Sequence, residues 1–230
     1  LLSPSKGIAS VIEALPAILA TNPNVVYLVV GATHPHVLRN EGESYRLEVE
    51  RLAHERGVEA SVVFHNRFVS FPELVEFLGA ADIYITPYIN EAQITSGTLA
   101  YAVGTGKATI STPYWYAQEL LDDGCGVLVP FNDHAAIADE VVRLLGDDPA
   151  RHAMRKRAYM RGRDMIWPEV ARRYARSFEQ ALARHKRPVA PEGIFVTMSK
   201  RPRELPPMKL DHLRRMTDDT GILQHAVFAV

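Results

Sequence analysis

Short runs of apolar, mostly β-branched residues alternate with helix-like patterns through the first two thirds of the chain. Such runs are typical of strands that helices cover on both faces, as in a parallel sheet. Strands and helices in this rhythm predict an α/β fold with a doubly wound parallel sheet. Functional residues should then lie directly after the strands, at their carboxyl ends. The candidate strands are residues 25–30 (VVYLVV), 61–64 (SVVF), 83–86 (IYIT), 108–111 (ATIS) and 127–129.

The segments around these runs have the periodicity of helices. Apolar residues recur at i, i+3 and i+4 from Ile8 to Leu19, and Pro16 predicts a kink in that helix. Residues 43–56 predict a charged, exposed helix that ends at Gly57, a residue suited to the position after a helix. Further helices are predicted over residues 71–80, 96–103, 116–121, 134–145, 149–165 and 168–184.

The last part of the chain changes in composition. Residues 185–207 contain five prolines and several basic residues, which predicts a linker. Residues 208–230 turn apolar and helical again and stop without a polar tail, which indicates a truncated further domain. The chain begins at Leu1 rather than Met, so the sequence says nothing about a segment upstream.

Composition excludes several classes of protein. Apolar residues make up 47% and charged residues 23%, so disorder along the whole length is excluded. No apolar run approaches the roughly 18 residues of a membrane span, and we expect no secretory signal. The single cysteine, Cys125, excludes an intrachain disulfide and a cysteine-based zinc site. It fits a reducing compartment, and we expect a cytoplasmic location.

Charge is segregated along the chain. Residues 1–150 carry a net charge of −11 and residues 151–215 a net charge of +12, although the whole chain carries −1. Such a basic stretch can mark a nucleic-acid surface, or it can lie against the acidic part of the protein or against another domain. We favour the second interpretation and expect no nucleic-acid partner, because no aromatic ladder accompanies the basic residues. Association with a membrane surface stays open.

Lys6 is the first candidate binding residue. It lies in Ser3-Pro4-Ser5-Lys6-Gly7, directly before the first predicted helix. An ammonium group beside a helix start can bind an anion, and lysine is a common phosphate ligand. The alternative is an ordinary helix start with a solvated lysine.

A second candidate is the segment 93–98 (QITSGT), which follows the third predicted strand. Ser96 and Gly97 are small, so a ligand can approach their backbone closely. A serine or threonine, Thr98 included, can cap the helix and leave other amides for phosphate. The alternative is a helix start whose small residues are chosen for packing.

Other motifs indicate no chemistry by themselves. Residues 104–107 (GTGK) lack the first glycine and the final Ser/Thr of a phosphate-binding P-loop, and no G-x-G-x-x-G follows the first visible strand. His34 and His36 have no obvious carboxylate partner for a metal, and no G-x-S-x-G elbow occurs. Glu119 follows the fourth predicted strand, where it could accept hydroxyl hydrogen bonds or simply be an exposed helix residue.

Several of these segments, in this order, carry a family resemblance. The sequence over residues 1–184 resembles the C-terminal, donor-binding domain of retaining GT-B glycosyltransferases, the "glycosyl transferases group 1" family. Residues 205–213 and 218–221 resemble the start of a carbohydrate-processing helical domain. The segments that carry the family resemblance are residues 3–7 (SPSKG), 29–31 (VVG), 80–87 (AADIYITP), 93–98, 106–107 (GK), 111–113 (STP), 119–121 (ELL), 126–129 (GVLV) and the helix at Trp167.

The resemblance implies a Rossmann-like half of a GT-B fold and a hexosyltransferase that uses a nucleotide-sugar donor without a metal or other cofactor. It places Lys6, Ser96, Gly97 and Thr98 at the donor diphosphate. It also implies a missing N-terminal domain that carries the acceptor site. For the nucleoside it implies the residues Asn66, Arg67, Phe68 and Tyr101, and for the donor sugar it leaves Glu119 as a candidate.

The sequence departs from the family at the Glu-x7-Glu motif. One alignment puts Gln93 and Tyr101 on the two glutamate positions, and another starts from Glu91 and puts Leu99 on the second. Glu91 and Gln93 are therefore only candidates for a catalytic role. The missing pair motivates an alternative function, a non-catalytic nucleotide-sugar-binding module. A nicotinamide-dependent enzyme is a third hypothesis, which would need a glycine fingerprint before Leu1.

Overall fold

A computed structural model of the protein describes residues 1–184. The predicted linker (185–207) and the predicted further domain (208–230) lie outside the described residues. The described strands are β1 (Tyr27–Val30), β2 (Val62–His65), β3 (Ile83–Thr86), β4 (Ala108–Ser111) and β5 (Val127–Leu128). The described helices are α1 (Ile8–Thr21), α2 (Pro35–Glu41), α3 (Ser44–Glu55), α4 (Phe71–Ala80), α5 (Gly97–Gly104), α6 (Trp115–Leu120), α7 (His134–Gly146), α8 (Asp148–Arg163) and α9 (Trp167–Arg184).

All strand pairs in this part of the chain are parallel, which confirms the predicted α/β class. The strands form two sheets rather than one continuous sheet: β1 pairs with β2, and β4 lies between β3 and β5. No ladder joins β1 to β3 within residues 1–184. The two sheets are therefore separate at the middle of the fold.

The predicted strands agree with the structure where the apolar run is bounded by turns on both sides. The third and fourth runs match β3 and β4 residue for residue. Strand β1 begins two residues later than predicted, because the N–H of Val25 closes a turn on the carbonyl of Asn22. The second run begins one residue later, because Ser61 belongs to a short 3₁₀ helix.

Helix α2 was not predicted from the sequence. The N-cap of this helix, His34, explains why. The Nδ1 atom of His34 accepts a hydrogen bond from the backbone N–H of His36 at 3.1 Å, and Pro35 takes the first helical position. Histidine is an uncommon N-cap, so the usual Ser/Thr/Asp/Asn signal is absent. The residues His34-Pro35-His36 therefore start a helix.

The main core lies between α1, α7 and the strands. Helix α1 runs through Pro16, which is exposed, and buries the opposite face. Complete burial of a Leu or Ile side chain contributes about 1.5–3 kcal/mol each, so this contact accounts for a large share of the stability. The central buried side chains are Ile12, Leu15, Ile18, Ile110, Ile137 and Leu144.

The basic residues of α8 bind the acidic part of the chain. Arg155 and Arg157 donate to the carbonyl oxygens of Gly106 and Gly124 at 3.2 and 2.9 Å, and Arg161 pairs with Asp123 at 3.2 Å. These contacts satisfy carbonyls in two loops that follow helices α5 and α6. For residues 151–163 they confirm the interpretation that the basic stretch lies against the rest of the protein.

Within residues 1–184, no helix combines the length and the apolar character needed to cross a membrane.

Candidate functional site

The Lys6 loop packs directly against the carboxyl end of β3. Gly7 has φ +66°, and a Cβ atom at this position would lie 1.9 Å from the carbonyl oxygen of Pro87. Glycine is required here both for the left-handed backbone and for the close approach. As a result the Nζ atom of Lys6 lies 4.0 Å from the ring centroid of Tyr88, two residues after β3. The geometry is that of a cation–π contact.

The start of α5 adjoins the same tyrosine. Ser96 is the N-cap of α5, and its hydroxyl accepts a hydrogen bond from the N–H of Leu99 at 3.3 Å. The hydroxyl of Tyr88 lies 3.3 Å from that of Ser96 and 3.5 Å from that of Thr98. Tyr84 also donates to the Thr98 hydroxyl at 2.8 Å. A connected set of hydroxyl groups therefore joins the Lys6 loop to the first turn of α5.

This cluster is electropositive. The first-turn amides of α5 at Gly97 and Thr98 have no intrahelical partner, and the helix dipole adds partial positive charge there. Burial alone would raise the pKa of Tyr88, but hydrogen bonds from Ser96 and Thr98, together with the charge of Lys6, bring it below its ordinary value. A site that favours a phenolate favours other oxyanions as well.

Gly97 has space around it. Its φ is not in the left-handed region, and a Cβ atom would meet nothing within 4 Å. Packing therefore does not explain a glycine at this position, and the packing alternative is wrong for Gly97. The open space lies at the amide end of α5, where an anion would bind.

A cavity of about 880 Å³ includes this cluster at one end. The residues predicted to bind the diphosphate line it, and Tyr101 lines it as well. Tyr101 packs edge-to-face against Phe71, with ring centroids 5.1 Å apart. The rest of the cavity lies between β1 and β3. The polar end is lined by Lys6, Tyr88, Thr95, Ser96, Gly97, Thr98 and Tyr101.

The other predicted nucleoside residues follow β2 and do not line this cavity. Asn66 is exposed, and Phe68 is 75% exposed. Arg67 pairs with Glu73 at 2.5 Å. Glu73 also completes the capping box of α4 with Ser70, so Arg67 is held beside the start of that helix. Their role in binding a nucleoside stays a prediction.

The predicted catalytic candidates lie in the loop between β3 and α5. Glu91 is exposed, and its carbonyl accepts a hydrogen bond from the N–H of Trp115 at 3.0 Å. The side-chain amide of Gln93 donates to the carbonyl of Thr95 at 2.6 Å. Gln93 thus stabilises the turn that leads to Ser96, and neither side chain lines the cavity.

Glu119 lies apart from these residues. It is exposed on α6 and does not line the cavity. Burial raises the pKa of Tyr116, and the negative charge of Glu119 raises it further. Its role as a sugar-binding residue stays a prediction.

No group of three or more His, Cys, Asp or Glu side chains within residues 1–184 is arranged to hold a metal ion. His34 caps α2, as described above. The groups that meet at the carboxyl end of β3 are the ammonium group of Lys6 and the partially positive backbone amides of α5.

Sequence reasoning missed Tyr88 as a site residue. Its only signal was its position directly after the run that forms β3, in Pro87-Tyr88. The contacts that give Tyr88 a role come from Lys6, which is distant from it in sequence, and from the start of α5, which a loop separates from it.

Comparison with known proteins identifies the family of this chain. The family model described as "Glycosyl transferases group 1" matches residues 1–161. The chain belongs to this family. Residues 1–161 of this group 1 member contain every element of the polar cluster, from the Lys6 loop to α5.

The relatives of this chain in sequence include proteins that are named as transferases. The chain is 27% identical, over 180 residues, to the phosphatidyl-myo-inositol mannosyltransferase of Mycolicibacterium smegmatis. That match covers 76% of this chain and 42% of the relative. The group 1 chain therefore spans less than half the length of this relative.

Solved structures of low sequence identity share the fold. The C-terminal domain of the glycosyl transferase group 1 family protein LpcC from Francisella tularensis matches with a TM-score of 0.60 at 22% identity, covering 70% of this chain and 79% of that one. HepE from Anabaena, solved with UDP, matches with a TM-score of 0.66 at 20% identity, covering 78% of this chain and 46% of that one. The match to an isolated C-terminal domain agrees with the predicted half of a GT-B fold.

Proposed function

We propose that this chain is the donor-binding half of a glycosyltransferase that transfers a sugar from a nucleotide-sugar to an acceptor. One observation carries the proposal: Lys6 and the first turn of α5 meet around Tyr88 at one end of one cavity. Membership of the group 1 family and the names of the relatives support the same reaction class.

The cluster fits the chemistry of the leaving group. When the bond between sugar and nucleotide breaks, negative charge develops on the diphosphate and must be stabilised. A fixed ammonium group and preorganised amides provide this stabilisation with little reorganisation. Stacking on Tyr88 holds Lys6 in place before the donor binds. In this proposal Lys6, Ser96, Gly97 and Thr98 bind the diphosphate.

The nucleoside would lie towards Tyr101, with Asn66, Arg67 and Phe68 as further candidates. Tyr101 is 43% exposed and lines the polar end of the cavity. Anabaena HepE, which shares the fold, has been solved with UDP and with UDP-glucose. This supports a nucleoside diphosphate sugar as the class of donor.

The reaction would need no metal cofactor. The positive charge that a divalent ion often supplies at a diphosphate is here supplied by Lys6 and the amides of α5. We further infer a cytoplasmic location, which the single buried cysteine supports.

The acceptor site would belong to an N-terminal domain of the longer protein. Helix α9 supports a further contacting domain, because it has no buried residue and exposes large apolar side chains. A stripe of this kind is usually covered in the complete protein or assembly. The exposed side chains are Trp167, Tyr174, Phe178 and Leu182.

The departure from the family's glutamate pair motivates a second candidate function, a nucleotide-sugar-binding module without catalysis. The glutamine at one family glutamate position uses its amide to stabilise a turn. A glutamine also lacks the negative charge of the carboxylate that it replaces.

One experiment distinguishes the glycosyltransferase from the non-catalytic binding module. The full-length protein would be given UDP-glucose, UDP-N-acetylglucosamine and GDP-mannose in turn, with calorimetry for binding and chromatography for release of the nucleoside diphosphate. Release above the spontaneous rate supports the transferase, and binding without release supports the module. A folded protein that neither binds nor cleaves any of these donors would contradict both.

A further inference from the structure

The carboxyl end of α5 is tied to helix α8. The last four carbonyl groups of a helix have no partner within that helix. In α5, the carbonyls of residues 101–103 accept hydrogen bonds from the backbone N–H groups of residues 105–107 at 2.9 to 3.0 Å. The fourth carbonyl, that of Gly104, accepts a hydrogen bond from the guanidinium group of Arg163 at 2.8 Å. Helix α8 therefore completes the end of α5 with a charged donor.

Arg163 is itself held in place by a neighbour on α8. Its Cζ atom lies 4.3 Å from the ring centroid of Tyr159, one helical turn earlier. Tyr159 also packs against the loop that follows α5, since a Cβ atom added to Gly106 would lie 3.0 Å from the Cβ atom of Tyr159. A positive charge at the carboxyl end of a helix interacts favourably with the helix dipole. Arg163 thus stabilises α5 at the end opposite to Ser96.

The two helices also touch through their backbones. Gly162, next to Arg163, is buried. A Cβ atom added to Gly162 would lie 2.6 Å from the Cα atom of Gly104 and 3.1 Å from the carbonyl oxygen of Val103. Carbon atoms in contact lie about 3.5–4.0 Å apart, so only a glycine lets α8 approach α5 this closely. Gly104 is not restricted in this way, because a Cβ atom added to it would meet nothing within 4 Å.

Helix α5 is short and packed along one side, so its two ends move together. Its eight residues, Gly97–Gly104, span about 12 Å. Leu99 and Val103 are buried in the same apolar cluster as Tyr88, and Ala158 of α8 belongs to this cluster as well. A close-packed element of this kind is displaced as a unit. The contact with α8 at one end of α5 therefore affects where the first-turn amides lie at the other end.

We propose that Gly162 and Arg163 are positioning residues for the donor diphosphate. They hold α5 from its carboxyl end, so that the amides at its amino end stay aligned with Lys6. Neither residue lines the cavity, and both act through α5. This inference rests on the proposed function, because it takes the first turn of α5 as part of the diphosphate site.

Replacing Gly162 by alanine tests the backbone contact. The added methyl group should displace α5 and weaken UDP binding to the full-length protein by about tenfold or more, since small displacements of binding groups have effects of this size. Gly104→Ala is the matched control, because it adds the same methyl group to the other glycine of the contact, where the space is open. Its UDP affinity should equal that of the parent. Calorimetry measures the affinities, and melting temperatures show whether each variant is folded.

Replacing Arg163 by glutamine tests the charge without touching the core, since Arg163 is exposed. Loss of a positive charge at the carboxyl end of α5 should weaken UDP binding by about 2- to 5-fold. Arg157→Gln is the matched control, because Arg157 lies on the same helix and donates to the carbonyl of Gly124 at 2.9 Å, in a loop that does not follow α5. Equal UDP affinities of these two variants would overturn the role of Arg163.

The amide resonances of Gly97 and Thr98 give a measurement that does not depend on UDP. In TROSY spectra of the deuterated full-length protein without ligand, Gly162→Ala should shift both resonances and Gly104→Ala should leave them in place. A Gly162→Ala variant that is less stable, but has unshifted resonances and the parent's UDP affinity when folded, would overturn the proposal.

The same spectra distinguish failure of this inference from failure of the proposed function. A folded parent protein that does not bind UDP contradicts the proposed diphosphate site. The resonances then decide the α8 contact alone, because shifted resonances in Gly162→Ala still support the positioning of α5 and unshifted ones overturn it.

Discussion

Lys6 lies over the ring of Tyr88, with its Nζ atom 4.0 Å from the ring centroid, although one residue precedes α1 and the other follows β3. The tyrosine ring in turn stacks on Tyr114, with centroids 5.0 Å apart. The lysine is thus positioned by a buried aromatic pair. A charge that is held in place before a ligand arrives loses less entropy on binding.

Replacing Lys6 by alanine should weaken donor binding in the full-length protein. Loss of a hydrogen bond to a charged group costs about 1.5–3 kcal/mol, or about 10- to 150-fold in affinity. Calorimetry with UDP measures the change. Lys156→Ala is the matched control, because Lys156 is exposed on α8. Equal UDP affinities for the two variants would show that Lys6 does not contact the diphosphate.

Replacing Tyr88 by phenylalanine should keep the ring under Lys6 but remove the hydroxyl contacts to Ser96 and Thr98. A neutral hydrogen bond contributes about 0.5–1.5 kcal/mol, so donor affinity should fall by about 2- to 12-fold. Tyr116→Phe, on α6, is the control. An unchanged affinity for Tyr88→Phe, at an unchanged melting temperature, would limit the role of Tyr88 to its ring.

Replacing Gly97 by valine should abolish donor binding and leave the domain folded. The structure leaves open space at this Cβ position, so the side chain would fill the place proposed for the phosphate without a clash in the protein. Melting temperature and UDP affinity, measured together, test this. Gly146→Val at the end of α7 is the control, because its Cβ position is equally open. A Gly97→Val variant that binds UDP normally would move the phosphate site elsewhere.

Sugar transfer by the full-length protein should continue in excess EDTA. The proposed site supplies its positive charge from Lys6 and from the amides at the start of α5. Initial rates before and after chelation, followed by addition of Mg²⁺ or Mn²⁺, measure the effect. Loss of activity that these ions restore would contradict a metal-free mechanism.

Glu73 should make α4 sensitive to acid. The hydrogen bond from Arg67, followed by those from Ser70, lowers the pKa of Glu73 from 4.5 to about 2. Because the folded pKa is the lower one, the stabilisation is fully present above pH 4.5 and is lost as the pH falls towards 2. The difference in melting temperature between the parent and Glu73→Ala should therefore be constant near pH 6 and disappear near pH 2.

Glu76→Ala is the control for this prediction, since Glu76 is exposed on the same helix and outside the capping box. A difference between the parent and Glu73→Ala that stays the same from pH 6 to pH 2 would show that the carboxylate charge is not involved.

The strands and most helices could be predicted from the sequence, because local signals determine them. Ile83–Thr86 is an apolar run between turns, and Ser70 and Glu73 are a recognisable capping box. The start of α2 could not be predicted in this way, because its cap is a histidine. Gly57 was correctly expected after α3, where its φ is +65°.

The candidate site was predicted in part. Lys6, Ser96 and Thr98 were expected together from the resemblance, and the structure brings them to one tyrosine. Tyr88 itself could not be found, because its partners depend on how the first loop packs against β3. Division of the strands into two sheets was also not predictable, since nothing within an apolar run specifies its neighbours.

The approach of Gly7 to Pro87 has a genetic consequence. A single added methyl group at position 7 would collide with the carbonyl of Pro87 and push the Lys6 loop away from β3. Even Gly7→Ala, which touches no proposed ligand atom, should thus behave as a loss-of-binding allele. Variant libraries scored for sugar transfer should find position 7 as intolerant as position 6.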